Sequence, residues 1–341
     1  MTFSDFTAGA DDSGRRLDKI IRRFIPEQNL SRLYSALRKG LIKLNGKKAA
    51  PDCRVNAGDT LNIADILLDL QNPLTARQGG QRFCDKADTA QHDAHDTVPY
   101  KIIFQNRHAL IINKPYGIRV HGGNDALDTA VRQMYTAQTD AASSLSFTPG
   151  PVHRLDRRTT GLLVFSQSIN GARFLSEAFT SGAVKKTYIA LICGKMTADA
   201  LWEDAIIENS NAGRGFKTVT VVPCRGGGAK NARTRAIPLE TGMFKGRPCT
   251  LALFHIDTGR KHQIRAQTAH HGFPLLGDSA YGADVISSEC AHFLHSYSLV
   301  FPHNNLGLPK KLTAPLPAAF QKILNTLGMQ GQLPLESALT S

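Results

Sequence analysis

The sequence predicts an α+β protein, with a small amino-terminal module and a larger domain behind it. Three observations carry this. Leu17, Ile20, Ile21 and Phe24 fall at i, i+3, i+4 and i+7, one face of a helix. Thr60–Ile63 alternates as a strand does, and Leu162–Phe165 is a short apolar run fed by a loop, the pattern of a buried strand. Between these regions lies a polar stretch that neither period fits. With 341 residues the chain is long enough for two domains, one with a sizeable core. Forty-one Lys and Arg against 28 Asp and Glu give a net charge of +13, and the pI is 9.6. Such a balance points to a polyanionic partner, nucleic acid being the commonest, although an anionic membrane surface would attract the same charge. No segment approaches a membrane span in length, and Met1–Gly14 is acidic with no apolar signal core. The six cysteines (53, 84, 193, 224, 249 and 290) form no C-x-x-C pair and no disulfide framework. The expectation is a reduced, cytoplasmic protein without structural zinc.

Taken in order, the first helix stops at Pro26, Ser31 caps a second helix, and Gly40 ends it. Leu41–Leu44 then runs into Asn45–Gly46, a pair that favours a tight hairpin. The strand Thr60–Ile63 follows Gly58–Asp59. These elements make a module of residues 15–65, with twelve Lys and Arg against five Asp and Glu, a net +7. Arg32, Arg38, Lys39, Lys43, Lys47 and Lys48 suit phosphate contacts as a set, while any single one reads as a solvated surface charge. Residues 66–97 are Gln-, Asp- and Ala-rich and lack the apolar content to fold alone, which predicts a mobile tether. His92 and His95 within it make a weak metal pair at best.

From Tyr100 the sequence is globular again, with strands expected at Lys101–Phe104 and Leu110–Ile112. A Lys-Pro-x-Gly loop at 114–117 is given a structural role, and His121 reads as packing. The stretch around which the domain is organised is Pro151–Ser166, PVHRLDRRTTGLLVFS. It places Asp156 among Arg154, Arg157 and Arg158, with Gly161 at a tight turn into the apolar run. Nearby positive charge favours the carboxylate form, which suits a nucleophile or an ion-pair anchor rather than a general acid. A helix is expected over Ile169–Gly182, with Ala172, Leu175 and Phe179 on one face, and a strand over Lys185–Leu191. Tyr188 on that strand is core by default, unless its phenol lies beside Asp156. Residues 203–230 read as Gly- and Arg-containing loops without a P-loop. A strand at Leu251–Ile256 enters a turn and a helix ending near Gly272, on which His262 and Arg265 share a face. Arg265 is thereby a candidate to reach Asp156 through a bidentate pair. The histidines at 255, 262, 270, 271, 292 and 295 lack a metalloprotease or deaminase pattern, and His270 and His271 diverge on a helix, so no metal site is expected.

The run H-R-L-D-x-x-T-T-G-L-L at 153–163 resembles the central motif of the RluA-type pseudouridine synthases, with Thr160 where that family more often has Ser. K-x-Y-x-A-L at 186–191 resembles its second motif. T-G-R-x-H-Q-I-R at 258–265, followed by G-D-x-x-Y-G at 277–282, resembles its third, with Ala266-Gln267 in place of the frequent Val-His. The Lys-Pro-x-Gly loop, Phe293–Ser296 and the Pro-containing tail at 313–317 fit the same family. The segment L-R-K-G-x-I-x-x-N-G-K at 37–47 resembles an S4-type RNA-binding domain.

The resemblance implies a catalytic domain at 98–328 built on a mixed, largely antiparallel sheet with flanking helices and a central cleft. The amino-terminal module would be a small S4-like α/β domain. It implies conversion of uridine to pseudouridine in RNA without metal or organic cofactor. Asp156 would be the catalytic residue, Arg265 its partner and Ile264 an apolar neighbour of the base. Tyr188 would stack on a uracil taken out of the RNA, and Arg154 would hold the opened strand. Large-subunit ribosomal RNA is the favoured substrate, as for RluC-type enzymes. A tRNA pseudouridine synthase, or a non-catalytic RNA-binding or ribosome-assembly factor, is the alternative. RNA is the expected partner of a monomer, with no membrane and no obligate protein partner.

Overall fold

The computed structural model describes residues 1–24, 29–68, 100–123, 125–138, 144–209, 218–223, 227–284 and 292–331, without the side chains of 23, 24 and 136–138. Pro26, the expected tether from residue 69 onward with Cys84, His92 and His95, most of the loops around 210–226 with Cys224, Cys290 and the last ten residues lie outside the described residues. The chain forms two compact units. One comprises 1–97, 130–150 and 168–170, the other 98–129, 151–167 and 171–341.

In the first unit, β1 (Phe3–Thr7) is followed by β2 (Arg15–Arg16), α1 (Leu17–Phe24), α2 (Leu30–Lys39), β3 (Ile42–Leu44), β4 (Arg54–Val55) and β5 (Thr60–Ala64). β5 pairs antiparallel with both β1 and β3, and β2 pairs with β4. The first helix and the later strand stand where periodicity predicts them, and the second helix where its stop at Gly40 does. The cap of α2 is Asn29, two residues before Ser31, and its side chain accepts the Arg32 amide at 3.0 Å. Gly40 closes α2 in the left-handed region, φ 72°. Asn45 and Gly46, φ 52° and 74°, turn the chain after β3 as a type I′ turn requires. β1 joins this sheet from outside 15–65. Leu17, Ile20, Ile21, Leu33, Leu37, Ile42, Leu61 and Ile63 form the buried core.

The second unit carries β6 (Lys101–Gln105), β7 (Ala109–Lys114), β8 (Gly150–Pro151), β9 (Thr160–Ser166), β10 (Lys185–Cys193), β11 (Ala200–Glu208), β12 (Val219–Val222), β13 (Lys230–Phe244), β14 (Arg247–Ile256), β15 (Leu294–Val300) and β16 (Lys311–Thr313). The helix α3 (Leu127–Gln138) starts in this unit and belongs mostly to the first, while α4 (Ile169–Thr180), α5 (Gln263–His270) and α6 (Ala318–Thr326) intervene or follow. Among the described residues the sheet has eleven strands, in the order β12-β11-β13-β14-β10-β15-β9-β7-β6, with β16 on β15 and β8 on β9. Neighbouring strands along this path run antiparallel except β9 with β15, and β16 is antiparallel to β15, so the sheet is mixed and largely antiparallel as expected. β11 and β12 occupy part of the stretch that reads as loops in the sequence: the alternation of β11 is interrupted by Asp204, whose carboxylate is taken up by Gln267 and His271.

All seven residues of β9 are buried, as befits a central strand covered on both faces. Leu162 and Val164 pack with Ala109, Ile111, Leu175 and Ala178 in one core cluster, and a second joins β10 and β14 to α6. The buried face of α4 is Gly171, Leu175 and Ala178, one position away from the expected Ala172 and Phe179, which are half-buried. Gly161 has φ 105°, and a Cβ there would collide with the Ser296 carbonyl and lie 2.7 Å from the Ser296 nitrogen. That absence of a side chain is what allows the parallel approach of β9 and β15. No described helix is long and apolar enough to cross a membrane.

Candidate active site

The loop that carries Asp156 is built by the Lys-Pro-x-Gly segment opposite it. Lys114, fully buried at the end of β7, donates to the carbonyls of Pro115, Arg157 and Thr159, each at 2.9 Å. Three acceptors around one nitrogen are the complement of an ammonium with three N–H bonds. Burial pulls the Lys114 pKa down to about 7, with Asp156 acting in the opposite sense. The Gly117 amide donates to Arg157 O at 3.0 Å, and Arg157 Nε returns a bond to Gly117 O at 2.7 Å. A turn from Thr159 N to Asp156 O closes the loop. His153 accepts the Val164 amide through Nε2 at 3.1 Å and stacks on Phe179, which ties the start of the loop to β9 and α4. Thr160 keeps a hydroxyl role at the Ser position: it bonds His295 Nδ1 at 2.8 Å, and His295 Nε2 reaches Ala314 O at 3.2 Å.

α5 faces this loop. Gln263 is buried at its first residue and staples it in place, accepting from the Thr258 hydroxyl and the Arg260 amide and donating to Arg233 O and Thr234 Oγ1. The Thr234 hydroxyl in turn donates to Gln267 at 2.6 Å, and Gln267 donates to Asp204 at 2.7 Å. The Gln that departs from the family pattern is thus a buried polar link between α5 and the sheet.

Arg265 is held to Asp156 by one contact, Nη1 to Oδ2 at 3.2 Å. Its bidentate partner is a different residue: Asp278 receives Nε at 2.6 Å and Nη2 at 2.8 Å. The expectation of a bidentate Asp156–Arg265 pair is corrected on this point. The cation that meets Asp156 therefore comes from 109 positions away, whereas its sequence neighbours Arg154, Arg157 and Arg158 are exposed. Burial opposes the charge on Arg265, but Asp278 and then Asp156 outweigh it and raise the guanidinium above its ordinary pKa. The guanidinium also lies 4.9 Å from the Tyr281 ring.

One pocket is lined by Arg154, Asp156, Tyr188, His262, Ile264 and Arg265, together with apolar side chains that include Leu155, Ile256 and Leu294. All five residues expected from the sequence to handle the target nucleotide converge here. Its cavity volume is about 80 Å³. Tyr188 is buried, which pushes its phenol up to about 12 and keeps it neutral. An adjoining groove of about 780 Å³ shares Arg154, Arg260 and Lys261 with the pocket and adds Lys230. His121, on the surface, bonds Asp128 at 3.3 Å and takes no part.

Sequence reasoning left His262, Asp278 and Tyr281 without a role. The signal was present in the G-D-x-x-Y-G motif, which forms a turn and a short 3-10 helix that brings Asp278 and Tyr281 against α5. His262 is the N-cap of α5 in a left-handed conformation, not a residue of its helical face. Its Nδ1 lies 2.9 Å from Tyr281 Oη and its Nε2 3.6 Å from Asp156 Oδ1. Burial holds His262 below the usual histidine pKa, Asp156 pulling the other way. His270 and His271 do not diverge as a regular helix would make them, because His271 is already the C-cap. With Asp204 their ligand atoms lie within 4.8 Å of one another, and no ion is present. Asp204 is engaged by Gln267 and by His271 at 3.1 Å, and His271 stacks on Trp202. In the first unit Arg32, Arg38, Lys39, Lys47 and Lys48 are exposed, while Lys43 is half-buried over the Phe3 ring at 4.4 Å.

Comparison with known proteins agrees with this geometry. The profile of the RNA pseudouridylate synthase family matches residues 108–270, which include Asp156, Tyr188 and Arg265. Ribosomal large subunit pseudouridine synthase C of Salmonella typhimurium is 28% identical over 326 residues, covering 93% of this chain and 94% of that protein. The enzyme of the same name from Escherichia coli K12 gives the same identity and coverage. Among solved structures, human RNA pseudouridylate synthase domain containing 4 superposes with a TM-score of 0.55 at 23% identity, covering 69% of this chain and 95% of that one, a likeness of fold. Profile and full-length relatives agree, and residues 108–270 are a domain of the RNA pseudouridylate synthase family of isomerases.

Proposed function

We propose that the protein converts specific uridines of large-subunit ribosomal RNA to pseudouridine, with Asp156 as the nucleophile. The observation that supports this best is the Asp156 carboxylate, 3.2 Å from the buried Arg265 guanidinium in a pocket walled by Tyr188 and Ile264. The reaction breaks the N1–C1′ bond, turns the uracil and joins C5 to C1′. C5 loses a proton and N1 gains one, so the formula is unchanged and no oxidant or reductant is consumed. Arg265 orients the carboxylate that attacks the nucleotide, and Asp278 holds Arg265 from behind. A uracil extruded from RNA loses its stacking, and the Tyr188 ring offers a replacement surface. Arg154 borders both the pocket and the basic groove, a position suited to holding the opened strand. The choice of ribosomal RNA rests on full-length similarity to enzymes named for the large ribosomal subunit. The exposed arginines and lysines of the first unit serve as an S4-like phosphate-binding surface in this reading.

Pseudouridine mapping of total RNA incubated with the native protein, beside Asp156→Ala, tests the reading. New pseudouridines in large-subunit ribosomal RNA, absent with the variant, are expected. Modification confined to tRNA would overturn the substrate, and unchanged modification by Asp156→Ala would overturn the nucleophile. Tight RNA binding by both proteins without modification would favour a binding or assembly factor.

A further inference from the structure

His262 stands in the pocket beside Asp156, and its geometry specifies what it presents there. Three non-glycine residues have positive φ among the described residues. Asn45 and Lys245 each precede a glycine in a tight turn, where such backbone is ordinary. His262, at φ 51° and ψ 20°, opens a helix instead, and the glycine of its turn, Gly259, lies three residues earlier. A left-handed non-glycine residue at a ligand pocket is a conformation that its surroundings impose.

Those surroundings also favour one position for its hydrogen. Tyr281 Oη accepts the Val219 amide at 3.0 Å and lies 2.9 Å from His262 Nδ1. Burial pushes the phenol pKa up to about 12, so it keeps its one hydrogen. With Oη already accepting the Val219 amide and Nε2 turned toward the Asp156 carboxylate, the arrangement that fits both is that hydrogen donated to Nδ1. A neutral imidazole that accepts at Nδ1 carries its own hydrogen on Nε2. Nε2 faces Asp156 Oδ1 at 3.6 Å, too far for a hydrogen bond, and no other described acceptor is bonded to it. Arg265, by contrast, directs Nε and Nη2 at Asp278 and Nη1 at Asp156. Much of the remaining wall near the base is apolar: Leu155, Ile256, Ile264 and Leu294. An N–H donor without a partner, beside the carboxylate that attacks the nucleotide, lies within reach of whatever atom enters between them.

We propose that His262, fixed as the Nε2–H tautomer by Tyr281, donates that hydrogen bond to a carbonyl oxygen of the target uracil. The inference rests on Asp156 acting on a uridine in this pocket. When the N1–C1′ bond breaks, the electron pair stays on the uracil and spreads onto its carbonyl oxygens. A preorganised donor at one of them stabilises the detached base and restrains it while it turns. No proton is transferred to or from His262 in this role.

The test uses the purified full chain on a large-subunit ribosomal RNA transcript, with His262→Gln, His262→Asn, Tyr281→Phe and Asp156→Ala. Asparagine tolerates left-handed backbone, but its amide reaches only as far as Nδ1. Glutamine reaches the position of Nε2. The expected result is a fall in kcat of about ten- to a hundredfold for His262→Asn at nearly unchanged KM, the effect of losing a hydrogen bond to a developing charge. His262→Gln should recover most of that loss. Nitrogen NMR of the native protein should show Nδ1 unprotonated, and Tyr281→Phe should mix the two tautomers. On RNA transcribed with 4-thiouridine or 2-thiouridine, one of the two should slow the native enzyme and leave His262→Asn no slower than on ordinary RNA. Native kcat in His262→Asn, or a hydrogen found on Nδ1, overturns the inference while an inactive Asp156→Ala leaves the proposed reaction standing. A native protein that modifies no RNA overturns the reaction and the inference together.

Discussion

Arg265 grips Asp278 with two hydrogen bonds, at 2.6 and 2.8 Å, and spends one on Asp156, at 3.2 Å. Asp278 is the more buried carboxylate, with 3% of its side chain exposed against 18% for Asp156. The Arg265–Asp278 ion pair forms a fixed base, and Asp156 is the looser member of the triad.

Removing the base should therefore cost both stability and rate. Asp278→Asn leaves a buried guanidinium without its charge partner, and the loss is expected at about 3–5 kcal/mol. Urea unfolding measures it. Activity at a temperature where the variant is still folded should fall as well, because Arg265 becomes free to turn. Native activity in a folded Asp278→Asn would show that Asp156 needs no such support.

Lys114 should behave as the clamp of the Asp156 loop. Lys114→Met keeps the apolar stem but leaves the carbonyls of Pro115, Arg157 and Thr159 without this donor. Each carbonyl left unsatisfied costs about 1–3 kcal/mol, less whatever water recovers. A lowered melting temperature with a disproportionate loss of kcat is expected. A stability loss with kcat intact would mean that the loop holds its shape unaided.

Gly161→Ala should prevent normal folding. The added Cβ meets the backbone of Ser296, not a movable side-chain end, and φ 105° is itself unfavourable for alanine. Soluble expression and near-UV circular dichroism report the outcome. A well-folded Gly161→Ala protein would require β9 and β15 to separate.

Acid should destabilise the catalytic unit before carboxylates titrate. Burial pushes His292 and His295 down to about 4 from an unfolded value near 6.5. Between those values the unfolded chain binds protons that the folded chain excludes, so stability rises with pH. The contribution is fully present above about pH 6.5 and is lost toward pH 4, at about 1.4 kcal/mol per pH unit for each group. Urea midpoints measured across this range, with His295→Gln as comparison, should show the shallower slope in the variant.

In the first unit, Arg38 and Lys39 are exposed in the last turn of α2. Replacing both with alanine should weaken RNA binding and reduce the slope of log K against log salt by about two, roughly one for each phosphate that is no longer neutralised. An unchanged slope would move the RNA-binding surface elsewhere.

The sequence by itself determined the local elements and the membership of the pocket. Periodicity found α1, terminal residues bounded α2, and an unbroken apolar run marked β9, because burial on one face leaves a period in the text and burial on both leaves a run. Motif resemblance assembled Arg154, Asp156, Tyr188, Ile264 and Arg265, and these do line one pocket. Tertiary structure alone decided how they are wired. Local charge pointed to the neighbouring arginines as the surroundings of Asp156, yet its paired cation arrives from a helix 109 residues away. The bidentate place at Arg265 goes to Asp278, delivered by a turn whose motif was visible but whose direction was not. His262 took its orientation from a left-handed backbone and from Tyr281. The physical reason is range. Helical and strand periods are set by neighbours a few positions apart, whereas the partner of a buried charge is chosen by which chains the fold brings within hydrogen-bond distance.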